Sequence, residues 1–332
     1  MGKLIQVACY VLYGVTVIYL CMVLCMVNSI NISIAVLKTA AEIIIRNTRI
    51  MIIPIISIAF TLSFGAGWLY SFGYLLSGAN IVQPGIVGDK ITPGNGQIKS
   101  VNLDGKDDLK WQILVSLFAF FWIIELLTAI FDYVIIVGVA SWYFTSTHSK
   151  PGRFSVMRGL WWSVRYNLGS LALGSFLLAV IWTLRVIFEY IEGKVKNLGE
   201  NNQMMNCVRN GIRCCLDCCH RFIKFLNHNA YIQVCLTGNN FCSSAMAAFI
   251  LALKNSGSFV ITNGIGGLIS FLGKMTIACL NTLIGYILCT KIESISSLIQ
   301  VPFAPAVLIF GLSYIMASIF MQVYSITSLT IL

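Results

Sequence analysis

Two carboxylates, Glu125 and Asp132, stand seven residues apart in a run from Trp111 to Phe144 that carries no other charge. Seven residues make about two turns of an α-helix, so both acids fall on one face. An ionisable group at membrane depth is costly and is kept where it meets a cavity, an ion path or a partner. Rings crowd the same run: Trp111, Phe118, Phe121, Trp122, Phe131, Tyr133, Trp142, Tyr143 and Phe144. The face of such a ring attracts a soft cation, and a nearby carboxylate offsets the charge. Those are the ingredients that hold a quaternary ammonium ion. Phe121, Trp122, Glu125, Asp132 and Tyr133 are therefore the candidate binding residues, with Trp122, one turn from Glu125, the leading ring. Trp142 and Tyr143 read better as anchors at a membrane interface. A structural reading stands beside this one: the acids pair with Lys274 or Arg185 and hold a bundle together. The residues alone leave both open.

The elements that position these groups follow from composition. Apolar residues make up 58% of the chain and charged residues 10%, against about 25% charged in an ordinary globular domain. No charge falls in Leu4–Leu37, Ile50–Gly88, Tyr166–Leu184, Asn255–Gly273 or Ser294–Leu332. Roughly 20 apolar helical residues cross a bilayer core. Six strong spans result: Leu4–Val27, Ile50–Leu76, Trp111–Phe144, Leu168–Phe188, Gly264–Thr290 and Phe303–Ile331. A weaker one, Tyr231–Leu253, is broken by Thr237-Gly238-Asn239-Asn240, the mark of a kink, a re-entrant turn or an interfacial helix. Membrane strands would be short and alternating, and in lipid the backbone must satisfy its own hydrogen bonds. The fold class is all-α: a single polytopic transmembrane helix bundle over residues 1–332, six strong spans plus one kinked or re-entrant helix. Small residues (Gly65, Gly67, Gly169, Ser170, Gly174, Ser175, Gly264, Gly266, Gly267) are expected to let helices approach closely.

The net charge of +10 does not point to nucleic acid, because the basic residues sit between apolar runs rather than among aromatics on a soluble face. Loops rich in Lys and Arg face the cytoplasm. Asn28–Arg49 (Lys38, Arg46, Arg49) and Thr145–Arg165 (Lys150, Arg153, Arg158, Arg165) read as such loops. Ser77–Lys110, rich in Gly, Pro, Asn and Asp with four Lys balanced by four Asp, reads as an exoplasmic or lumenal loop. The segment 189–228 conflicts with this alternation: it should lie outside if Leu168–Phe188 crosses, yet it carries Lys194, Lys196, Arg209, Arg213, Arg221 and Lys224. A cleavable signal peptide is not expected, since the first apolar stretch is too long for an h-region. Gln6 occupies the position where a myristoylation motif wants Ser or Thr. The sequon Asn31-Ile32-Ser33 falls in an expected cytoplasmic loop and is discounted.

Cys207, Cys214, Cys215, Cys218 and Cys219 crowd around Asp217 and His220. The Cys215–Cys218 spacing matches half of a zinc site, but no second pair follows at a typical interval, so no metal is expected. Disulfides would need an oxidising compartment, and thiol acylation would need a juxtamembrane helix. No P-loop, dinucleotide fingerprint, His-Glu-x-x-His or Gly-x-Ser-x-Gly motif is present. Neither catalysis nor a cofactor is expected, which sets aside an enzyme of lipid metabolism.

Several strings resemble one family. The run Cys218-Cys219-His220-Arg221-Phe222-Ile223-Lys224-Phe225-Leu226-Asn227-His228-Asn229-Ala230-Tyr231-Ile232 is followed by Gly238-Asn239-Asn240-Phe241-Cys242-Ser243-Ser244-Ala245. Trp122-Ile123-Ile124-Glu125, Trp142-Tyr143-Phe144, Leu168-Gly169-Ser170, Gly174-Ser175-Phe176 and Phe271-Leu272-Gly273-Lys274 add to it. Together they resemble the later membrane-spanning part of the choline transporter-like family, most specifically around residues 218–245. The resemblance implies a ten-helix carrier that moves choline or the related ethanolamine for phospholipid supply, in a plasma or organelle membrane, the mitochondrial one included. It strengthens the cavity reading of Trp122 and Glu125 and favours a structural pairing role for Lys274. The family's early helix, large extracellular loop and cytoplasmic tail have no counterpart here, which reads as a fragment, a partial gene model or a shortened form. Phe131-Asp132 stands where the family is expected to carry a Gln-Gln pair, so substrate preference is expected to differ or transport to be lost. The expected partners are the lipid bilayer and choline or a similar quaternary ammonium. The alternative is a transporter-like structural subunit of a larger membrane complex, without transport of its own.

Overall fold

The computed structural model describes Tyr13 and residues 27–77, 107–145, 156–197, 203–291 and 303–332. Among the described residues there is no strand. The helices, in chain order, are α1 (Val27–Arg46), α2 (Ile52–Ser77), α3 (Asp107–Thr145), α4 (Val156–Tyr166), α5 (Leu168–Asn197), α6 (Gln203–Thr237), α7 (Phe241–Lys254), α8 (Ser256–Lys291) and α9 (Phe303–Ile331). A 3-10 turn, Thr48–Met51, joins α1 to α2. Six described segments are long and apolar enough to cross a membrane: Val27–Arg46, Thr48–Ser77, Lys110–Thr145, Leu168–Lys194, Ser256–Lys291 and Phe303–Ile331. A seventh, broken candidate is Cys207–Thr237 with Phe241–Lys254, bent by 108°. The chain is thus a multi-pass helical membrane protein.

Hydroxyl residues do not break these helices, because their side chains bond back one turn. Thr128 Oγ1 donates to the Ile124 carbonyl at 3.0 Å, Thr183 Oγ1 to Ala179 at 2.9 Å and Thr327 Oγ1 to Val323 at 2.7 Å. In lipid this hides a polar group that water would otherwise solvate. Pro54 lies in the first turn of α2, where its missing N–H has no helical partner to lose.

The contacts divide the chain into two units. The first comprises Met1–Ile55, Ile130–Leu168 and His228–Leu332. Here the expected loop Asn28–Arg49 is instead mostly helix α1, while the expected span Leu4–Val27 lies almost wholly outside the described residues. The reason is visible in the pattern. Ser33, Val36, Leu37, Ala40 and Ile43 form one buried stripe, while Glu42 and Arg46 pair at 2.8 Å on the exposed side. The stripe packs against α8 and α9. Ser33 and Thr262 share a buried hydroxyl–hydroxyl bond of 2.7 Å, and the Tyr324 hydroxyl donates to the Leu37 carbonyl at 3.4 Å.

Close helix approach in this unit is made mostly by glycines other than those the sequence singles out. A Cβ at Gly159 would lie 3.1 Å from Val134, at Gly273 3.1 Å from Met321, and at Gly285 2.6 Å from Ile309. Gly266 contacts Leu37, but Gly264 and Gly267, and in the second unit Gly65, Gly67 and Gly169, would meet nothing within 4 Å. The break between α6 and α7 falls at Thr237-Gly238-Asn239-Asn240. Gly238 sits there at φ +70°, the left-handed region that side chains disfavour. Its N–H reaches the Val234 carbonyl at 2.9 Å, closing the end of α6.

The second unit comprises Ile56–Ala129 and Gly169–Asn227. It holds parts of α2, α3, α5 and α6, each antiparallel to the next. Trp68 of α2 donates to Ser116 Oγ of α3 at 3.2 Å, and Phe64 stacks on Phe120. Trp122 of α3 donates to the Ala172 carbonyl of α5 at 3.2 Å, and Phe118 meets Phe176. Asn227 of α6 donates to the Gly174 carbonyl at 2.7 Å, whereas Arg213 reaches Glu192 at 2.6 Å. The later half of α5 and the earlier half of α6 therefore extend toward the end of this unit where α3 begins. Part of the charge in residues 189–228 is paired locally. Glu192, its side chain 6% exposed, pairs with both Arg209 and Arg213, and Asp217 pairs with Arg185 at 2.9 Å. Two of the six cations in this segment therefore share one buried carboxylate between two helices.

Candidate functional site

Phe121, Trp122 and Glu125 fall in the second unit, and Asp132 and Tyr133 in the first, although one helix, α3, carries all five. In the second unit the Glu125 carboxylate, half-buried, accepts a hydrogen bond of 3.0 Å from the Trp182 indole N–H of α5. Phe121 stacks against the Trp182 ring with centroids 6.1 Å apart and an interplanar angle of 24°. The His220 ring of α6 meets Trp182 edge-on at 5.2 Å. The Arg185 guanidinium carbon lies 5.5 Å from the centre of the same ring. Lys224 is close enough to act on Glu125 electrostatically. Glu125 forms no ion pair to a described residue.

The leading ring of the sequence reading has a different job in this geometry. Trp122 is pinned against α5 by its bond to the Ala172 carbonyl, and its ring meets Phe118 and Phe176. The ring that touches the carboxylate is Trp182. It had no claim from spacing, since 57 residues separate it from Glu125 and only the pairing of α3 with α5 joins them. The signal that does exist is a lone tryptophan within an apolar span, one turn before Arg185.

In the first unit Asp132 is buried and already partnered. Gln322 of α9 donates to its Oδ1 at 3.2 Å, and His228 Nδ1 lies 3.8 Å from its Oδ2. Tyr133, 2% exposed, meets the Cys235 thiol through its hydroxyl. Within each unit the expected pairing is absent among the described residues: Glu125 is not joined to Arg185, nor Asp132 to Lys274. Arg185 is held by Asp217 and by Glu189 at 3.8 Å, and Lys274 makes no ion pair to a described residue. The cysteines at 207, 214, 215, 218 and 219 are free and exposed. No group of three or more His, Cys, Asp or Glu able to hold a metal exists among the described residues.

The first unit also contains a cavity of about 390 Å³. Tyr143, Phe144 and Phe259 line it together with Asn229, Gln233 and Ser258, and its wall carries no charged side chain.

These features can be set beside known proteins. A family model described as plasma-membrane choline transporter matches residues 10–332. Choline transporter-like 2 of Anopheles gambiae is 36% identical over 214 residues, covering 64% of this chain and 26% of that protein. Choline transporter-like protein 1 of Caenorhabditis elegans is 34% identical over 221 residues, covering 64% and 28%. Choline transporter-like protein 2 of Danio rerio is 39% identical over 163 residues, covering 49% and 23%. The chain spans about a quarter of the length of these curated relatives. With the family model running through the described helices that carry Glu125, Trp182 and Asp132, the chain belongs to the plasma-membrane choline transporter family.

Proposed function

We propose that the protein carries choline, or a related small quaternary ammonium ion, across a lipid bilayer, and that Glu125 with the rings of Trp182 and Phe121 receives it. The observation that carries this reading is the state of Glu125. It is a half-buried carboxylate in an apolar span, held by one neutral indole N–H and lacking an ion pair to a described residue. A carboxylate at that depth is expensive unless it meets a compensating charge. A soft organic cation supplies that charge and gains from the adjoining ring faces. Trp122 fixes α3 against α5 and so keeps Phe121 and Glu125 in register with Trp182. Asp132, satisfied by Gln322 and His228, is assigned a structural role in its own unit, as is Tyr133. Binding and carriage need no chemical step, so no catalytic role is assigned to any residue.

Uptake of radiolabelled choline into proteoliposomes tests the reading. The full chain, correctly inserted, is expected to accumulate choline, and Glu125→Gln is expected to abolish that accumulation while the protein still folds. Absence of uptake by the inserted wild-type chain, or full uptake by Glu125→Gln, would overturn it.

A further inference from the structure

Between the outer charged layer of the α5–α6 pair and Glu125 the groups are ordered by the antiparallel run of the two helices. Glu192 with Arg209 and Arg213 comes first, then Arg185 with Asp217, then Trp182 with His220, whose indole N–H reaches Glu125. The two ion-paired layers differ in kind. The Glu192 side chain is 6% exposed, whereas those of Arg185 and Asp217 are 38% and 40% exposed. A pair left this exposed is less constrained by its neighbours than a buried one and opens more readily.

We infer that Arg185 is a tethered competitor for the cation site, occupying the ring of Trp182 until an incoming quaternary ammonium displaces it. The inference rests on the proposed role of Trp182 and Glu125 in receiving that cation. A guanidinium is planar and weakly hydrated, and it sits over aromatic faces as an organic ammonium does. Arg185 lies 5.5 Å from the Trp182 ring centre while Asp217 holds its terminal nitrogen at 2.9 Å. Phe121 stacks against the same ring, so an arriving cation contends with a face already in use. The displaced side chain has space to enter: a cavity of about 220 Å³ lined by Arg185, Phe188, Glu189, Arg213, Leu216 and Asp217. Glu189, already 3.8 Å from the guanidinium, receives it there. Arg185 thereby sets specificity, because only a cation that binds a ring face well displaces a guanidinium from it. A strongly hydrated inorganic ion does not.

Equilibrium binding of radiolabelled choline to the full chain in lipid nanodiscs tests this. Arg185→Gln is expected to tighten choline binding by about three- to thirty-fold, the range of a cation–ring contact from exposed to desolvated. Arg185→Lys, which keeps the charge but not the planar, weakly hydrated guanidinium, is expected to tighten binding by less than Arg185→Gln does. Asp217→Asn, which removes the tether at almost constant volume, is expected to shift affinity in the same direction as Arg185→Gln and reads the same effect with Arg185 still present. Arg209→Gln removes a cation from the same helix pair without touching the ring or that cavity and is expected to leave affinity unchanged. Equal tightening in Arg185→Gln and Arg209→Gln would show a diffuse charge effect and overturn the inference. Unchanged affinity in Arg185→Gln and Asp217→Asn, with binding lost in Trp182→Ala, would also overturn it and leave the site standing. Wild-type binding by both Trp182→Ala and Glu125→Gln would remove the site itself.

Discussion

Replacing Trp182 by Phe keeps an aromatic ring beside Phe121 and removes one atom group that matters, the indole N–H on Glu125. A hydrogen bond to a charged group contributes about 1.5–3 kcal/mol, whereas a neutral one contributes about 0.5–1.5 kcal/mol. Trp122→Phe is the matched control, since it loses a neutral bond to the Ala172 carbonyl at 3.2 Å and leaves Glu125 untouched. Trp182→Phe should therefore destabilise more than Trp122→Phe, by roughly 1–2 kcal/mol. Thermal unfolding of each variant in the same nanodisc lipid reads it directly. The double variant Trp182→Phe/Glu125→Gln supplies the coupling, because two residues in contact are non-additive. Once Trp182 has lost its N–H, neutralising Glu125 should cost less than it does in the wild type. Equal Tm losses in Trp182→Phe and Trp122→Phe, together with strict additivity in the double variant, would refute the claim that this indole is the donor that stabilises the carboxylate.

Other perturbations separate the structural acids from the binding one. Asp132→Asn should lower thermal stability while leaving choline affinity within about twofold, because Gln322 and His228 rather than a ligand satisfy that carboxylate; unfolding and binding measured on one preparation check this. Glu192→Gln should be the most damaging of the charge changes, by about 3 kcal/mol, since it strands Arg209 and Arg213 around a buried position; detergent-melting curves give the ranking. Gly238→Ala should cost about 1–2 kcal/mol through its left-handed backbone alone, as added volume meets nothing within 4 Å there, and the same melting assay reads it.

The sequence carries much of the fold because lipid imposes a simple rule on it. Trp111–Phe144, Leu168–Phe188 and Phe303–Ile331 are apolar throughout apart from isolated charges, and each is a helix in the structure. The break at Gly238 was legible for a similar reason, since Gly and Asn together interrupt an apolar run. Helix α1 was not, because Lys38, Glu42 and Arg46 resemble loop charges until the buried stripe of Ser33, Val36, Leu37, Ala40 and Ile43 is seen beside them. Glycine spacing misled for a physical reason as well. Gly65 and Gly67 mark a helix that small residues permit to pack, but the packing occurs at Gly159, Gly273 and Gly285, where a neighbour happens to lie. The acid of the candidate site was found on its own helix. Its indole partner was not, because which helix lies beside α3 is decided by tertiary pairing and leaves no mark in local spacing.

The twin arginines that clasp Glu192 bear on how this protein is made. The early half of α6 brings Arg209, Arg213 and Asp217 on a single segment, too polar to partition into a bilayer unaided. Its acidic complement lies on the preceding helix, so the favourable insertion unit is a hairpin delivered whole, α5 already holding the counter-charges when α6 arrives. Loss of Glu192 would then be felt first during biogenesis, as chains that reach the translocon yet fail to seat their second leg.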